Sequence, residues 1–236
     1  LTTAYDIGTA SLAKSFDVSA QDGAPVDVAW NNDGTQMYMV GKASFSIYQY
    51  SLTTAYDIGT ASLAKSFDVS AQDGAPVDVA WNNDGTQMYM VGKASFSIYQ
   101  YSLTTAYDIG TASLAKSFDV SSQDDDPTGM AWNNYGTLMY MIGATNKIYQ
   151  YIAATAYDIG TVSFDKSRDI SAQDTDPQGM VWNNDGTQMY MVGVSSDKIY
   201  QYGVAGVAAD KIDIIALHQH STGTVTAEVT HKGVVV

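Results

Sequence analysis

The chain of 236 residues is strongly acidic, with 11 Lys and Arg against 25 Asp and Glu and a net charge of −14. Without a basic patch to displace counterions from phosphates, this charge argues against binding to nucleic acid or to an anionic membrane. The chain has no cysteine, which excludes disulfides and leaves the redox compartment open. No apolar run approaches the roughly 18 residues that a membrane helix needs, so membrane insertion is not expected.

One segment occurs four times along the chain. Residues 1–51 and 52–102 are identical, 103–152 is one residue shorter, and 153–203 is the most diverged copy. A repeat period near 50 residues is typical of solenoids and propellers. The chain begins at Leu1 rather than Met and carries no signal peptide, so we expect that it is processed or belongs to a longer protein.

Each copy contains four strand-like runs separated by turn signals. In the second copy the predicted strands are Pro76–Trp81, Gln87–Val91, Ser97–Leu103 and Leu114–Val120. The tetrapeptide NNDG after the first run favours a hairpin. The segment TTAYDIGTAS is predicted to be a long turn, because its Gly, Thr and Ser content and weak helical periodicity argue against a helix.

Four strands per repeat of about 50 residues indicate the blade of a β-propeller. Ser11–Val18 is predicted to be an outer strand with no blade before it. The last copy is predicted to end with three strands within Met180–Tyr202. Joining these pieces would complete a fourth blade and remove the open sheet edges. We therefore predict an all-β protein, with a four-bladed β-propeller over residues 1–203 that is closed by an N-terminal outer strand. The alternative is a fragment of a larger ring or array.

Residues 204–236 break the repeat. A small-residue linker precedes KIDIIALHQH and TVTAEVTHKGVVV, which we predict to form a short C-terminal β-hairpin tail that mediates assembly. His218 and His220 stand two apart and would face the same side of a strand. Three chains around an axis would bring together enough imidazoles for a transition metal. The alternative, which we favour, is that both histidines are ordinary exposed side chains.

The loop before each innermost strand carries an aspartate in every copy. It reads QDGAP twice, then QDDDP and QDTDP, and the repeated carboxylates are Asp22, Asp73, Asp124 and Asp174. In a propeller they would form a ring on one face that could bind Ca²⁺ through oxygen ligands. The alternative, which we favour, is that each aspartate caps its own turn. Further acids that occur only in the diverged copies are Asp125, Asp126 and Asp176, and a ligand site is better supported there.

A second loop varies between copies, reading GKASFS twice and then GATNK and GVSSDK. Variable loops on a constant scaffold are common places for binding specificity. Phe45 and Phe96 in this loop could stack on a sugar or pack at a blade edge, and the sequence leaves both open. One tryptophan also recurs in each copy, and we predict that these residues are core rather than sugar platforms: Trp30, Trp81, Trp132 and Trp182.

The run WNNDGTQMYMVG followed by IYQYSLTTAYDI resembles the DGTxMYVVG…VYxYxL propeller repeats of bacterial surface proteins and of phage and environmental viral structural proteins. It is more distantly similar to YVTN-type propeller repeats. The resemblance covers the four copies and implies a propeller, and it is poorly specific for function because propellers host many activities. The third copy departs at Tyr135, where the others have the turn aspartate, and Gly136 keeps the turn feasible.

No catalytic set is visible in the sequence. All histidines lie in the tail, cysteine is absent, and no acid pair stands out from the repeated aspartates. We therefore expect a non-enzymatic structural or attachment protein, first of all a phage tail or head fibre, located on the virion surface or otherwise extracellular. Expected partners are further copies of itself, other virion or surface proteins, and a cell-surface glycan. The alternatives are a secreted carbohydrate-binding propeller, a microbial surface-layer or appendage subunit and, least supported, a hydrolase-like propeller.

Overall fold

The computed structural model describes residues 11–203, 217–219 and 225–227. These residues form antiparallel β-sheets joined by turns and by three single-turn 3₁₀ segments. The part of the chain that the structure describes contains no helix long and apolar enough to cross a membrane.

Each repeat forms one antiparallel sheet, here called a blade, whose strands follow chain order from the inside outward. The first blade consists of β1 (Pro25–Trp30), β2 (Gln36–Gly41), β3 (Ser46–Leu52) and β4 (Ala61–Asp68). The second consists of β5 (Pro76–Trp81), β6 (Gln87–Gly92), β7 (Ser97–Leu103) and β8 (Ala112–Asp119). The third consists of β9 (Pro127–Trp132), β10 (Leu138–Gly143), β11 (Lys147–Ala153) and β12 (Val162–Asp169). The fourth consists of β13 (Pro177–Trp182), β14 (Gln188–Gly193) and β15 (Lys198–Gly203).

Side chains of the repeat build the turns between these strands. In the first hairpin the Asn31 side chain accepts the Gln36 amide at 3.0 Å, and Asp33 accepts the Thr35 amide at 2.9 Å. In the longer connection, Asp57 accepts the Gly59 amide at 3.0 Å and starts a 3₁₀ turn over Ile58–Thr60. Short polar side chains that bond nearby amides stabilise turns over extended strands, which explains why aspartate dominates the acids of this chain.

Neighbouring blades pack face to face. Between the first two blades, Tyr38, Val40 and Ile47 are fully buried in one cluster with Val79 of the next inner strand. The Trp81 ring lies on the Tyr38 ring with centroids 4.5 Å apart, and the Tyr38 hydroxyl donates to the Tyr107 carbonyl. Equivalent clusters join the second blade to the third and the third to the fourth. Trp81, Trp132 and Trp182 therefore belong to the packing between blades, whereas Trp30 packs against Tyr56 of its own blade.

The prediction of an all-β, four-bladed propeller is confirmed. In the tail, β16 (Leu217–Gln219) pairs with β17 (Val225–Ala227) as an antiparallel hairpin.

The predicted closing strand is not formed, and this part of the prediction is corrected. Residues 11–18 adopt no strand, and among the described residues the fourth sheet has three strands. The segment instead lies against the first blade, where Phe16 packs edge-on to Tyr50 at 5.4 Å and Lys14 pairs with Asp57. The inner strands of consecutive blades contact one another, whereas β1 and β13 show no comparable contact among the described residues.

Turn glycines offer a test of the packing of a tyrosine over the first hairpin of its own blade. Gly85 has a φ of +71°, and an added Cβ would lie 2.2 Å from the Tyr107 ring. We expect Gly85→Ala to lower the free energy of unfolding by about 3 kcal/mol, from left-handed strain together with overpacking. Gly186→Ala, with a φ of +70° and no atom within 4 Å, is expected to cost about 1 kcal/mol from strain alone.

Urea unfolding followed by circular dichroism measures these differences. Gly74→Ala serves as the control, because no atom lies within 4 Å of its added Cβ and its φ is not in the left-handed region. Equal losses for Gly85→Ala and Gly186→Ala would show that the tyrosine does not pack over the hairpin.

Candidate functional site

The repeated loop aspartates are structural caps. Asp22 is 4% exposed and accepts the backbone amides of Ala24 at 2.6 Å and Ser44 at 2.7 Å. Burial raises the pKa of Asp22, but hydrogen bonds from Ser44, Ala24 and Ala43 outweigh burial, and the net pKa lies below its usual value. The members of this set each join two loops of one blade in the same way: Asp22, Asp73, Asp124 and Asp174.

Their oxygens are already used by amide donors, which supports the capping alternative over a calcium ring. Within the described ranges, no group of three or more His, Asp or Glu side chains is gathered closely enough to bind a metal ion. The tail histidines stay a prediction: His218 lies in β16 with its side chain outside the described part, and His220 lies outside the described residues.

The additional acids of the later copies have different surroundings. Asp126 forms an ion pair with Lys93 of the preceding blade at 2.5 Å. Asp176 accepts the side-chain amide of Gln178 at 2.5 Å, and Asp125 is exposed.

Phe45 and Phe96 occupy left-handed turn positions, with φ of 53° and 54°, and their rings are about one-third exposed. The Phe45 carbonyl accepts the Val69 amide at 2.9 Å, so the backbone of this residue has a structural role. A sugar contact by the ring stays a prediction.

The structure reveals an acid pair on the inner strands. Asp27 is the third residue of β1 and accepts the Val79 amide of the next blade at 3.0 Å. Asp78 is its counterpart in β5 and accepts the Met130 amide at 2.5 Å. Each carboxyl group therefore satisfies the free backbone edge of the next inner strand.

The two carboxyl groups also contact each other. Burial in the wall formed by the inner strands raises the pKa of Asp78 well above its usual value, and the negative charge of Asp27 raises it further. Two adjacent carboxyl groups of this kind hold one proton between them.

A cavity of about 320 Å³ lies at the end of the inner strands where β1 begins. Its lining residues are Pro25, Val26, Lys42, Val77, Lys93, Thr128 and Gln178. Val26 and Val77 immediately precede the paired aspartates. Lys93 is held by Asp126, whereas Lys42 has no ion pair among the residues that the structure describes, because Ala75 stands where the third copy has Asp126.

Sequence reasoning missed this pair. The inner strands read PVDVAW twice and then PTGMAW and PQGMVW. One signal for the pair was available in the sequence. Two copies have a charged residue inside an otherwise apolar strand, and the other two copies have Gly129 and Gly179 at that position. Gly129 is crowded, because an added Cβ would lie 3.2 Å from the Gly179 Cα, whereas a Cβ added to Gly179 would meet no atom within 4 Å.

No family model matches this sequence, and no curated protein matches it. Solved structures do share the fold. A candidate 6-phosphogluconolactonase from Bacteroides uniformis is 13% identical with a TM-score of 0.56, and 86% of this chain matches 53% of that chain. A periplasmic gluconolactonase from Pseudomonas aeruginosa is 12% identical over the same shares, with a TM-score of 0.53. The β-propeller domain of Cps50 (Swd1) from Myceliophteria thermophila is 11% identical with a TM-score of 0.51, over 76% of this chain and 53% of that one.

The chain thus spans about half the length of the propellers that it matches, and at these identities the similarity establishes the fold. The comparison also corrects two expectations from the sequence. The similar structures include gluconolactonases, which are hydrolytic enzymes. The expectation of a non-enzymatic phage fibre or attachment protein was therefore wrong, as was the expectation that the chain is not an enzyme.

The carboxyl pair predicts an unusual pH dependence of stability. A raised pKa of Asp78 means that the folded state keeps a proton that the unfolded state releases above about pH 4. The stabilisation is complete below that pH and is lost as the pH rises through the folded pKa. Asp78→Asn mimics the protonated acid and does not titrate, so its stability relative to wild type should increase by more than about 1 kcal/mol between about pH 4 and pH 8.

Urea unfolding at several pH values tests this prediction. Asp119→Asn is the matched control, because hydrogen bonds from Ser121 lower the pKa of Asp119 and the pH effect has the opposite sign. A difference between Asp78→Asn and wild type that is constant with pH would show that the pair holds no shared proton.

The loop caps predict a second stability effect. Asp73 is 3% exposed and accepts the amides of Ala75 at 2.6 Å and Ser95 at 2.7 Å. We expect Asp73→Ala to lower the free energy of unfolding by about 2 kcal/mol or more, because buried donors lose their acceptor. Asp125→Ala in the corresponding loop of the third copy should change it by less than about 0.5 kcal/mol in the same denaturation experiment, since Asp125 is exposed.

Proposed function

We propose that the chain is the four-bladed part of a hydrolytic propeller that opens a small sugar lactone, with the substrate bound in the cavity at the ends of the inner strands. The observation that carries this proposal is the Asp27–Asp78 pair, which follows directly in the chain on Val26 and Val77 of the lysine-lined cavity. The similarity to a gluconolactonase and to a candidate 6-phosphogluconolactonase supports the same class of reaction.

The pair supplies the two proton transfers that lactone hydrolysis requires. A water molecule attacks the lactone carbonyl carbon and gives its proton to the Asp27 carboxylate. The bond between that carbon and the ring oxygen breaks, and Asp78 donates its proton to the leaving alkoxide. Asp78 is suited to the role of the acid because burial and the neighbouring charge raise its pKa.

The cavity supplies recognition of a negative group. Thr128 and Gln178 line it together with Lys42, whose ammonium group has no carboxylate partner among residues 11–203. On a strongly acidic protein, an unneutralised lysine at a cavity mouth marks the place where a substrate anion is most favourable. A phosphate on the substrate, or the carboxylate of the product, would bind there.

Hydrolysis of glucono-δ-lactone and of its 6-phosphate, followed by acid release above the spontaneous rate, tests the proposal. We expect Asp27→Asn and Asp78→Asn each to lower kcat on the order of 100-fold, and the double variant to lose little more, because the pair acts as a unit. Asp119→Asn is the control and should keep wild-type kcat. Circular dichroism of each variant verifies that the blades are folded.

Lys42→Ala should raise KM for the phosphorylated lactone more than for the unphosphorylated one. The absence of hydrolysis above the spontaneous rate for both lactones would overturn the proposed function. Full activity in Asp27→Asn and Asp78→Asn would remove the pair from it.

A further inference from the structure

The outward face of the fourth blade exposes side chains whose counterparts in the other blades are buried. Ile199 is 63% exposed, whereas Ile98 is fully buried by the next blade. Val192 is 46% exposed, whereas Val91 is fully buried. We call this surface the trailing face, and a groove of about 800 Å³ runs along it, lined among others by Val181, Trp182, Tyr190 and Ile199.

The first blade also exposes an apolar side chain whose counterpart is buried, on its opposite face. Val28 is 54% exposed, whereas its counterpart Val79 is 4% exposed because the first blade covers it. The surface that carries Val28 is called the leading face. Between neighbouring blades, the surface equivalent to the trailing face packs on the surface equivalent to the leading face. Because the repeats are nearly identical in sequence, the exposed trailing and leading faces are complementary to each other.

Polar groups repeat this pattern. The Tyr38 and Tyr89 hydroxyls donate to the carbonyls of Tyr107 and Tyr157 in the next blade. The fourth-blade counterpart, Tyr190, donates to Gln188 of its own strand. By the repeat, its next-blade acceptor would be the carbonyl of Tyr56, which lies in the first blade.

Two strand edges are also complementary. Residues 11–18 lie on the first blade through Phe16–Tyr50 and Lys14–Asp57, just as β4 lies on the second through Phe67–Tyr101 and Lys65–Asp108. The segment therefore occupies the place of the outer strand of a blade preceding the first one. The fourth blade has the three other strands of such a blade, and β15 pairs only with β14 among the described residues.

The curvature of the four blades decides which surface can meet which. In the similar propellers, 86% of this chain superposes on 53% of the whole chain. Four blades with that curvature cover about half of a ring. One chain therefore cannot bring its own trailing face to its leading face, whereas a second copy fills the remaining half.

We propose that two copies of this chain associate head to tail, each trailing face on the other's leading face, to form one ring of eight blades. Residues 11–18 of each copy then add to β15 of the other as its fourth strand, which removes both open edges. The arrangement is a two-fold ring that closes with two identical interfaces. It does not depend on the proposed function, and it places the inner strands of both copies around one channel.

The internal blades give the register of the new strand pair. Ser46 lies opposite Asp68, and Lys147 opposite Asp169. By the same register Lys198 lies opposite Asp17 of the other copy. Opposite charges directly across a strand pair stabilise it, and like charges destabilise it.

Light scattering on a size-exclusion column tests the association. Wild type should elute at about twice the chain mass of 25.3 kDa. Ile199→Asp should shift the mass to that of one chain, because it places a charge in the middle of the apolar contact. Leu114→Asp is the control: Leu114 is 48% exposed on an outer strand away from both end faces, and this variant should remain a dimer.

A charge exchange tests the head-to-tail geometry. Lys198→Glu and Asp17→Lys should each weaken the dimer on the order of tenfold, because like charges then face each other at both interfaces. An equimolar mixture of the two variants should recover wild-type affinity, since one interface has the exchanged pair and the other the native pair.

A wild-type mass of one chain would overturn the proposal, including the case in which Ile199→Asp lowers only the melting temperature of a monomer. A wild-type mass of three chains or more would also overturn it. A dimer that Ile199→Asp leaves intact, or mixtures no tighter than either variant alone, would show that these faces are not the interface. Lactone hydrolysis is not used in any of these measurements, so the two proposals fail independently.

Discussion

The contact between the face of one blade and the inner strand of the next is the interaction on which the rest of this structure depends. A single blade is a twisted sheet with two apolar faces, and neither face can be covered from within the sheet. Tyr38, Val40 and Ile47 become fully buried only because the second blade lies on them. Nearly identical repeats make every blade a suitable neighbour for every other, so the packing continues along the chain until no further blade follows.

The same packing generates the chemistry near the axis. Inner strands that lie close together leave backbone amides facing one another, and these amides need acceptors. Asp27 and Asp78 provide them, but the two carboxyl groups then lie so close that ionising both is unfavourable. In the third blade Gly129 takes the corresponding position, and a Cβ added there would lie 3.2 Å from the Gly179 Cα. Crowding thus brings two carboxyl groups together near the axis, and no single repeat displays that pair.

The exposed faces of the first and fourth blades carry the same apolar positions that are buried between the inner blades. Side chains at equivalent positions of the repeat are buried between blades and exposed on the first and last blades. Ile98 is buried whereas Ile199 is exposed, and Val79 is buried whereas Val28 is exposed. An apolar face of this kind, with an unpaired strand edge beside it, is unfavourable in water.

Local features of this protein could be predicted from the sequence. These features depend on residues that lie close together in the chain. They are the repeat period, the turns, the capping role of Asp22 and the strands Pro76–Trp81 and Ser97–Leu103, and the structure confirms them. The position of residues 11–18, the Asp27–Asp78 pair and the cavity at the end of the inner strands were decided by the tertiary structure. Each depends on the angle between successive blades, which sets distances between residues about 50 positions apart, and the pattern of one repeat contains no information on that angle.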